Sequence, residues 1–123
     1  MALPTNQRRN TMQIVEKYLA AWNERDAGAR RLAVEAAFAP QAAYKDPLMQ
    51  GAGHDGLDAM IAGAQDNLPG MRFVLAGTPA SHNDMVRFSW TLGAPDADPV
   101  ARGTDMAVLA ADGRLASVTG FLD

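Results

Sequence analysis

From Thr11 the apolar side chains Met12, Val15, Tyr18, Leu19 and Trp22 recur three or four residues apart, the spacing that gathers them on one stripe of an α-helix. Asn10 stands before this run with Gln13 three positions later, a relaxed capping box. The helix is therefore predicted to begin at Thr11, with residues 1–10 a flexible lead-in. Asp26 to Gly28 ends it. A second helix is predicted from about Ala29 to Phe38, burying Leu32, Val34 and Phe38, with Pro40 closing it. Ala42 to Lys45 reads as a short extended piece, and Asp46 in front of Pro47 is pushed towards extended geometry. Asp55 is expected to cap a third helix, in which Leu57, Met60, Ile61, Ala64 and Leu68 form the cleanest amphipathic stripe of the chain. Pro69-Gly70 stops it.

Beyond Gly70 the period changes to two. Met71, Phe73 and Leu75 alternate with smaller or polar residues, and Thr78 to Asp84 is rich in turn formers. Val86, Phe88, Trp90 and Leu92 alternate against Arg87, Ser89 and Thr91, a two-faced strand. Gly93 to Pro99 reads as a loop. Val100 to Leu109 is a further strand, Asp112-Gly113 a tight hairpin signal, and Arg114 to Leu122 the returning strand. Helices followed by consecutive strands predict one α+β domain over residues 11–123, its sheet antiparallel. The helices can cover one face of that sheet. Val100, Met106 and Val108 are assigned to the other, where a homodimer is the economical cover.

Composition narrows the function classes. Hydrophobic residues make up 48% of the 123 positions and charged residues 20%, a globular balance. The net charge of -3 gives no general attraction to nucleic acid or anionic membrane. The pairs Arg8-Arg9 and Arg30-Arg31 read as solvated surface. Cysteine is absent, so thiol catalysis and cysteine-zinc sites are excluded. No apolar run approaches a membrane span of about 20 residues. Met1 to Asn10 lacks the apolar segment of a secretion signal, which makes a cytoplasmic protein the default expectation.

The residue with most to say is Asp105. Its neighbours on the same strand face, Ala101, Gly103, Ala107 and Leu109, are small or apolar. A carboxyl group aimed into that face loses hydration, which disfavours its charged form. Small neighbours also leave room above the sheet for a ligand. Alternation alone equally permits the opposite register, with Asp105 in solvent and Met106 and Val108 inside. Tyr18 lies on the inward stripe of the first helix, as a core aromatic or as a hydroxyl pointing into a polar cavity. Asp46 reads either as a local turn former or as a general base at the mouth of an apolar cavity. His54 sits just before the third helix as a loop or rim residue, able to serve as an acid if the loop folds inward. His82 falls in an exposed turn. The two histidines form no metal-ligand cluster.

Taken together, Tyr18-Leu19-Ala20-Ala21-Trp22-Asn23, Asp26, Phe38-Ala39-Pro40, Tyr44-Lys45-Asp46-Pro47, Gly56-Leu57-Asp58-Ala59 and Gly103-Thr104-Asp105-Met106-Ala107-Val108-Leu109 resemble the SnoaL-like polyketide cyclase and ketosteroid isomerase branch of the nuclear transport factor 2-like (NTF2-like) superfamily. The resemblance implies a cone-shaped fold with N-terminal helices on a curved sheet. It also implies, residue by residue, Asp46 at the position of the isomerase base, Tyr18 at the tyrosine and Asp105 at the unionised strand carboxyl that together hold an enolate oxygen. In SnoaL-like cyclases the strand aspartate is itself the acid/base, which would give Asp105 the leading role. The Gly53-His54-Asp55-Gly56 segment is closer to that group. Trp22, Phe38, Met49, Met60, Phe73, Phe88 and Trp90 are expected to wall the pocket. The implied activity is proton transfer on a small apolar carbonyl compound, without cofactor or metal. The alternatives are a non-catalytic ligand-binding or dimerisation module, and a hydratase or epoxide hydrolase.

Overall fold

The computed structural model describes residues 5–123 of the chain. Three helices, α1 (Thr5–Asn23), α2 (Ala27–Ala37) and α3 (Gly53–Asp66), pack against a six-stranded sheet. Its strands are β1 (Phe38–Lys45), β2 (Gln50–Ala52), β3 (Arg72–His82), β4 (Met85–Gly93), β5 (Ala101–Leu109) and β6 (Leu115–Leu122), in the order β2-β1-β6-β5-β4-β3. The sheet is mixed rather than antiparallel throughout, because β1 runs parallel to β6. A parallel neighbour requires a long crossover, and here α3, β3, β4 and β5 all lie between the two strands in sequence. Pairing slips at Ala76/Ala80, Val108/Leu109 and Phe38/Ala43. Such irregularities bend strands and curve a sheet. Gly77 serves the first of them with a φ of 73°, which a side chain would strain.

Several boundaries differ from the sequence reading for local reasons. α1 already includes Thr5 to Asn10, so Asn10 is a helical residue and not a cap. The part of the expected lead-in that falls on residues 1–4 lies outside the described residues. Asp26 does not merely end α1 but caps α2, its Oδ2 accepting from the Ala29 N–H at 2.9 Å. Pro40 falls within β1, and Leu32 is exposed because only Arg30, Val34 and Ala37 of α2 turn inward. Asp55 is in the first turn of α3, whose cap is Ala52. The turn-rich stretch is in fact the end of β3, and only Asn83-Asp84 turns. Val100 precedes β5 instead of sharing the outer face with Met106 and Val108.

The concave face holds the core. Phe88, Trp90 and Leu92 of β4, Ala107 of β5 and Val118 of β6 are buried there against Val15, Tyr18 and Trp22 of α1. The three helices are tied together by polar groups. Arg30, only 8% exposed, donates from Nε to Asp58 and from Nη1 to Gln65, and the Gln65 amide donates to the carbonyls of Trp22 and Glu24. Arg30 is thus a buried strut, not solvated surface. Asn23 reaches across to β3, its amide donating to the Phe73 carbonyl and accepting from the Phe73 N–H, each at 2.8 Å. Among the described residues, no helix is long and apolar enough to cross a membrane.

The two adjacent arginines should behave oppositely. Arg30→Ala is expected to cost about 3 kcal/mol, because Asp58 and Gln65 are left with unmet bonding capacity. Arg31→Ala, which removes only surface pairs with Glu35 and Asp55, should leave the unfolding midpoint nearly unchanged. Urea denaturation of both variants checks this; equal losses would refute the strut.

Candidate active site

The inward register of β5 is decided by its neighbours. Phe88, Asp105 and Gly120 lie directly opposite one another across β4, β5 and β6, so a carboxyl group stands in line with an apolar ring and a bare backbone. Asp105 is 2% exposed. Tyr18 descends from α1 and donates its hydroxyl to Asp105 Oδ2 at 2.7 Å. Its ring is held edge-on by Phe38 and Phe88, with centroids 5.8 and 5.2 Å away. Burial pushes the Asp105 carboxyl above its ordinary value; the Tyr18 hydrogen bond opposes that rise, and the charge of Asp46 adds to it. Burial, and then the charge of Asp105, hold the Tyr18 hydroxyl well above its usual range.

Asp46 is built locally. It ends the extended run of β1, and Oδ1 accepts from the N–H groups of Leu48 and Met49 at 2.7 and 2.9 Å, the turn that an aspartate before proline favours. Its other oxygen, Oδ2, accepts from the Tyr44 hydroxyl at 2.5 Å. Tyr44 is buried, and its hydroxyl is raised by burial first and by the bond to Asp46 second. The turn reading and the pocket reading of Asp46 are therefore both realised in one residue.

The side chains of Asp105, Asp46 and Tyr44 converge on Gly120. A Cβ built there would stand 2.9 Å from Asp105 Oδ1, 3.2 Å from Asp46 Cβ and 3.3 Å from the Tyr44 hydroxyl. Three groups crowd one point, and only a residue without a side chain leaves them room. Above them opens a cavity of about 250 Å³ lined by Tyr18, Tyr44, Asp46 and Asp105 among otherwise apolar side chains. Gly103 supplies part of its width, since a Cβ there would fall 2.1 Å from the Trp90 ring. Among the described residues, two buried side-chain polar atoms lack a hydrogen-bond partner, Asp105 Oδ1 and Trp22 Nε1. Both belong to residues that line this cavity.

Of the expected wall, Trp22, Met49, Phe73 and Trp90 line the cavity, whereas Phe38, Phe88, Met60 and His54 do not. Phe38 and Phe88 lie behind the Tyr18 ring as core. Met60 turns towards Gly51, its sulfur 3.3 Å from where a Cβ of that glycine would be. His54 is tied by Nε2 to the Phe38 carbonyl at 2.7 Å, which anchors α3 to β1 and takes the ring away from the site. Tyr44 was given no role by the sequence reading. The available signal was spacing: Ala42, Tyr44 and Asp46 are two apart, so an inward Asp46 implies an inward Tyr44. Among the described residues, no three His, Asp or Glu side chains cluster closely enough to share a metal ion.

Comparison with known proteins agrees with this architecture. The SnoaL-like domain family matches residues 15–118. A solved structure described as a candidate isomerase of the SnoaL-like family from Agrobacterium tumefaciens is 51% identical, with a TM-score of 0.89 over 94% of this chain and 98% of its own. Two more distant structures show the fold alone. One is provisionally described as a SnoaL-like polyketide cyclase, from Jannaschia sp. CCS1, at 14% identity and TM-score 0.76 over 100% of this chain and 92% of that one. The other is an NTF2-like protein of unknown function from Cytophaga hutchinsonii, at 12% identity and TM-score 0.67 over 92% and 89%. No curated protein matches the sequence. With a family match spanning most of its length and its helices laid on the concave face of a curved NTF2-like sheet, the chain belongs to the SnoaL-like domain family.

Proposed function

We propose that the chain is an enzyme that moves a proton on a small, largely apolar carbonyl compound, by isomerisation or intramolecular aldol closure, with no cofactor. The observation that carries this reading is the concentration of unsatisfied polar capacity in an otherwise apolar hollow: Asp105 Oδ1 lacks a partner while Asp46 stands on the same wall. Buried polar groups are ordinarily paired, and a ligand oxygen is the natural partner for a protonated carboxyl group. In this reading Asp46 removes a proton from the carbon next to the carbonyl. The electron pair moves onto the carbonyl oxygen, which Asp105 stabilises by hydrogen bonding. Tyr18 directs its one proton at Asp105 Oδ2, which leaves Oδ1 to carry the Asp105 proton towards the substrate. Asp46 then returns its proton to another carbon, completing an isomerisation. Tyr44 keeps the base oriented.

A second reading gives Asp105 the acid/base role. It is favoured by the three donors that already engage Asp46, which take up lone pairs that a base would turn towards the substrate. One experiment separates the two. Exchange of the α-hydrogens of 2-tetralone with D2O, followed by proton NMR, should be accelerated by the protein. Asp46→Asn should slow that exchange about 100-fold or more while ligand affinity stays within about threefold. If Asp105→Asn does the greater damage, the second reading wins. Equal rates for Asp46→Asn and the exposed control Glu16→Gln would remove the mechanism.

The protonated Asp105 has its own test in stability. A carboxyl group whose folded-state pKa is raised favours the folded protein most below the unfolded value of about 3.9. That contribution is lost as the pH climbs through the raised folded value. Asp105→Asn lacks this loss. Its melting temperature relative to the parent should therefore rise between pH 4 and pH 8, and an unchanged difference across that range would contradict a raised Asp105.

A further inference from the structure

The cavity continues outward beyond its polar floor. Among the described residues, seven large apolar side chains are exposed, and three of them line this one hollow. These are Leu48, Val100 and Leu122, exposed to 74%, 64% and 47%. They come from three separate segments: the turn after β1, the residue before β5 and the end of β6. Apolar residues scattered singly over a surface need no explanation. A group of them continuous with an apolar cavity marks surface that a ligand covers.

Size and charge define what that ligand can be. The hollow, at about 250 Å³, is less than twice the ~150 Å³ that accepts a single benzene ring. A head of one or two rings fills it, and anything larger must emerge past the rim. Asp46 and Asp105 line the cavity and, among the described residues, no Lys, Arg or His does. An anionic group on the emerging part would therefore face the Asp46 carboxylate and find no lining cation to offset it.

We propose that the site takes an uncharged carbonyl compound with a compact ring head, seated against Tyr18 and Asp105, and an apolar extension lying across Leu48, Val100 and Leu122. The proposal rests on the cavity being the substrate site, as above. It adds that recognition is divided, with a polar contact at the floor and an apolar contact at the rim, and that anionic forms are rejected.

Trp22 and Trp90, the two tryptophans of the chain, both line the cavity, so intrinsic fluorescence reports its occupancy, with calorimetry as a check. The probes are 4-methyl-, 4-ethyl-, 4-propyl- and 4-pentylcyclohexanone, and 3-(4-oxocyclohexyl)propanoate beside its methyl ester. Each added methylene should tighten binding about two- to fourfold, according to how fully the rim covers it. In the combined Leu48→Ser, Val100→Ser, Leu122→Ser variant that gain should fall below about 1.5-fold per methylene. The propanoate should bind at least about tenfold more weakly than its ester at low salt. No response to any ketone would overturn both this proposal and the reading it rests on. A response that ignores chain length, or the same gain per methylene in the serine variant, overturns the rim alone. Propanoate binding as tightly as the ester overturns the exclusion of anions. Sedimentation showing a dimer that the serine substitutions dissociate, with the ketone series unchanged, would assign the rim to a second copy of the chain and overturn its role in substrate binding.

Discussion

A carboxyl group on the dry face of a sheet is tolerated only if the surroundings supply a donor or a proton, and much of this structure is arranged around that requirement. Asp105 cannot turn outward, because its register is locked between Phe88 and Gly120. Its charged form is disfavoured by burial, and the 2.7 Å hydrogen bond it accepts comes from another layer, the Tyr18 hydroxyl. That bond links α1 to the centre of the sheet across 87 positions of sequence. The placement of α1 is in turn enforced at its far end by Asn23 on the Phe73 backbone and by Gln65 on the Trp22 and Glu24 carbonyls. The site and the helix packing are therefore two consequences of one set of polar contacts.

The two acidic groups are treated in contrasting ways. Asp46 is satisfied largely by its own turn, through two backbone N–H groups within three residues, with Tyr44 two residues back as the third donor. Asp105 is satisfied only by tertiary contact and only on one oxygen. One carboxyl group is thus saturated by local donors, while the other keeps bonding capacity that the protein itself does not meet. Gly120 makes the contrast possible at short range. It lets both groups approach the same stretch of backbone while leaving the hollow above them open.

The hollow itself exists because β5 and β6 present little volume. Gly103 and Gly120 on the concave face leave space that the Trp90 ring partly occupies and a ligand can share. The bulged pairings curve the sheet around that space, and Leu19 of α1, Ala64 of α3 and Leu68 in the turn after α3 close over it. Close structural likeness to the Agrobacterium tumefaciens protein extends over nearly the whole of both chains.

Sequence by itself determined what depends on local periodicity. The β4 alternation and the β5 strand with Asp105 facing small neighbours were legible because side-chain direction in a strand follows from position parity. Asp46 in a turn followed from the proline after it. Even Tyr44 was within reach by the same parity argument. What tertiary structure alone decided was the outcome where several elements compete for one group. Arg30 had the look of surface until Asp58 and Gln65 enclosed it, and His54 had the look of a site residue until the Phe38 carbonyl claimed its ring. Phe38 and Phe88 satisfy any hydrophobic criterion for a pocket wall, yet they brace Tyr18 from behind. The parallel β1–β6 pairing joins segments with no local mark of their partnership. Periodicity fixes which way a side chain points, while the identity of what it meets is a property of distant chain, and that meeting turned two aspartates and two tyrosines into one site.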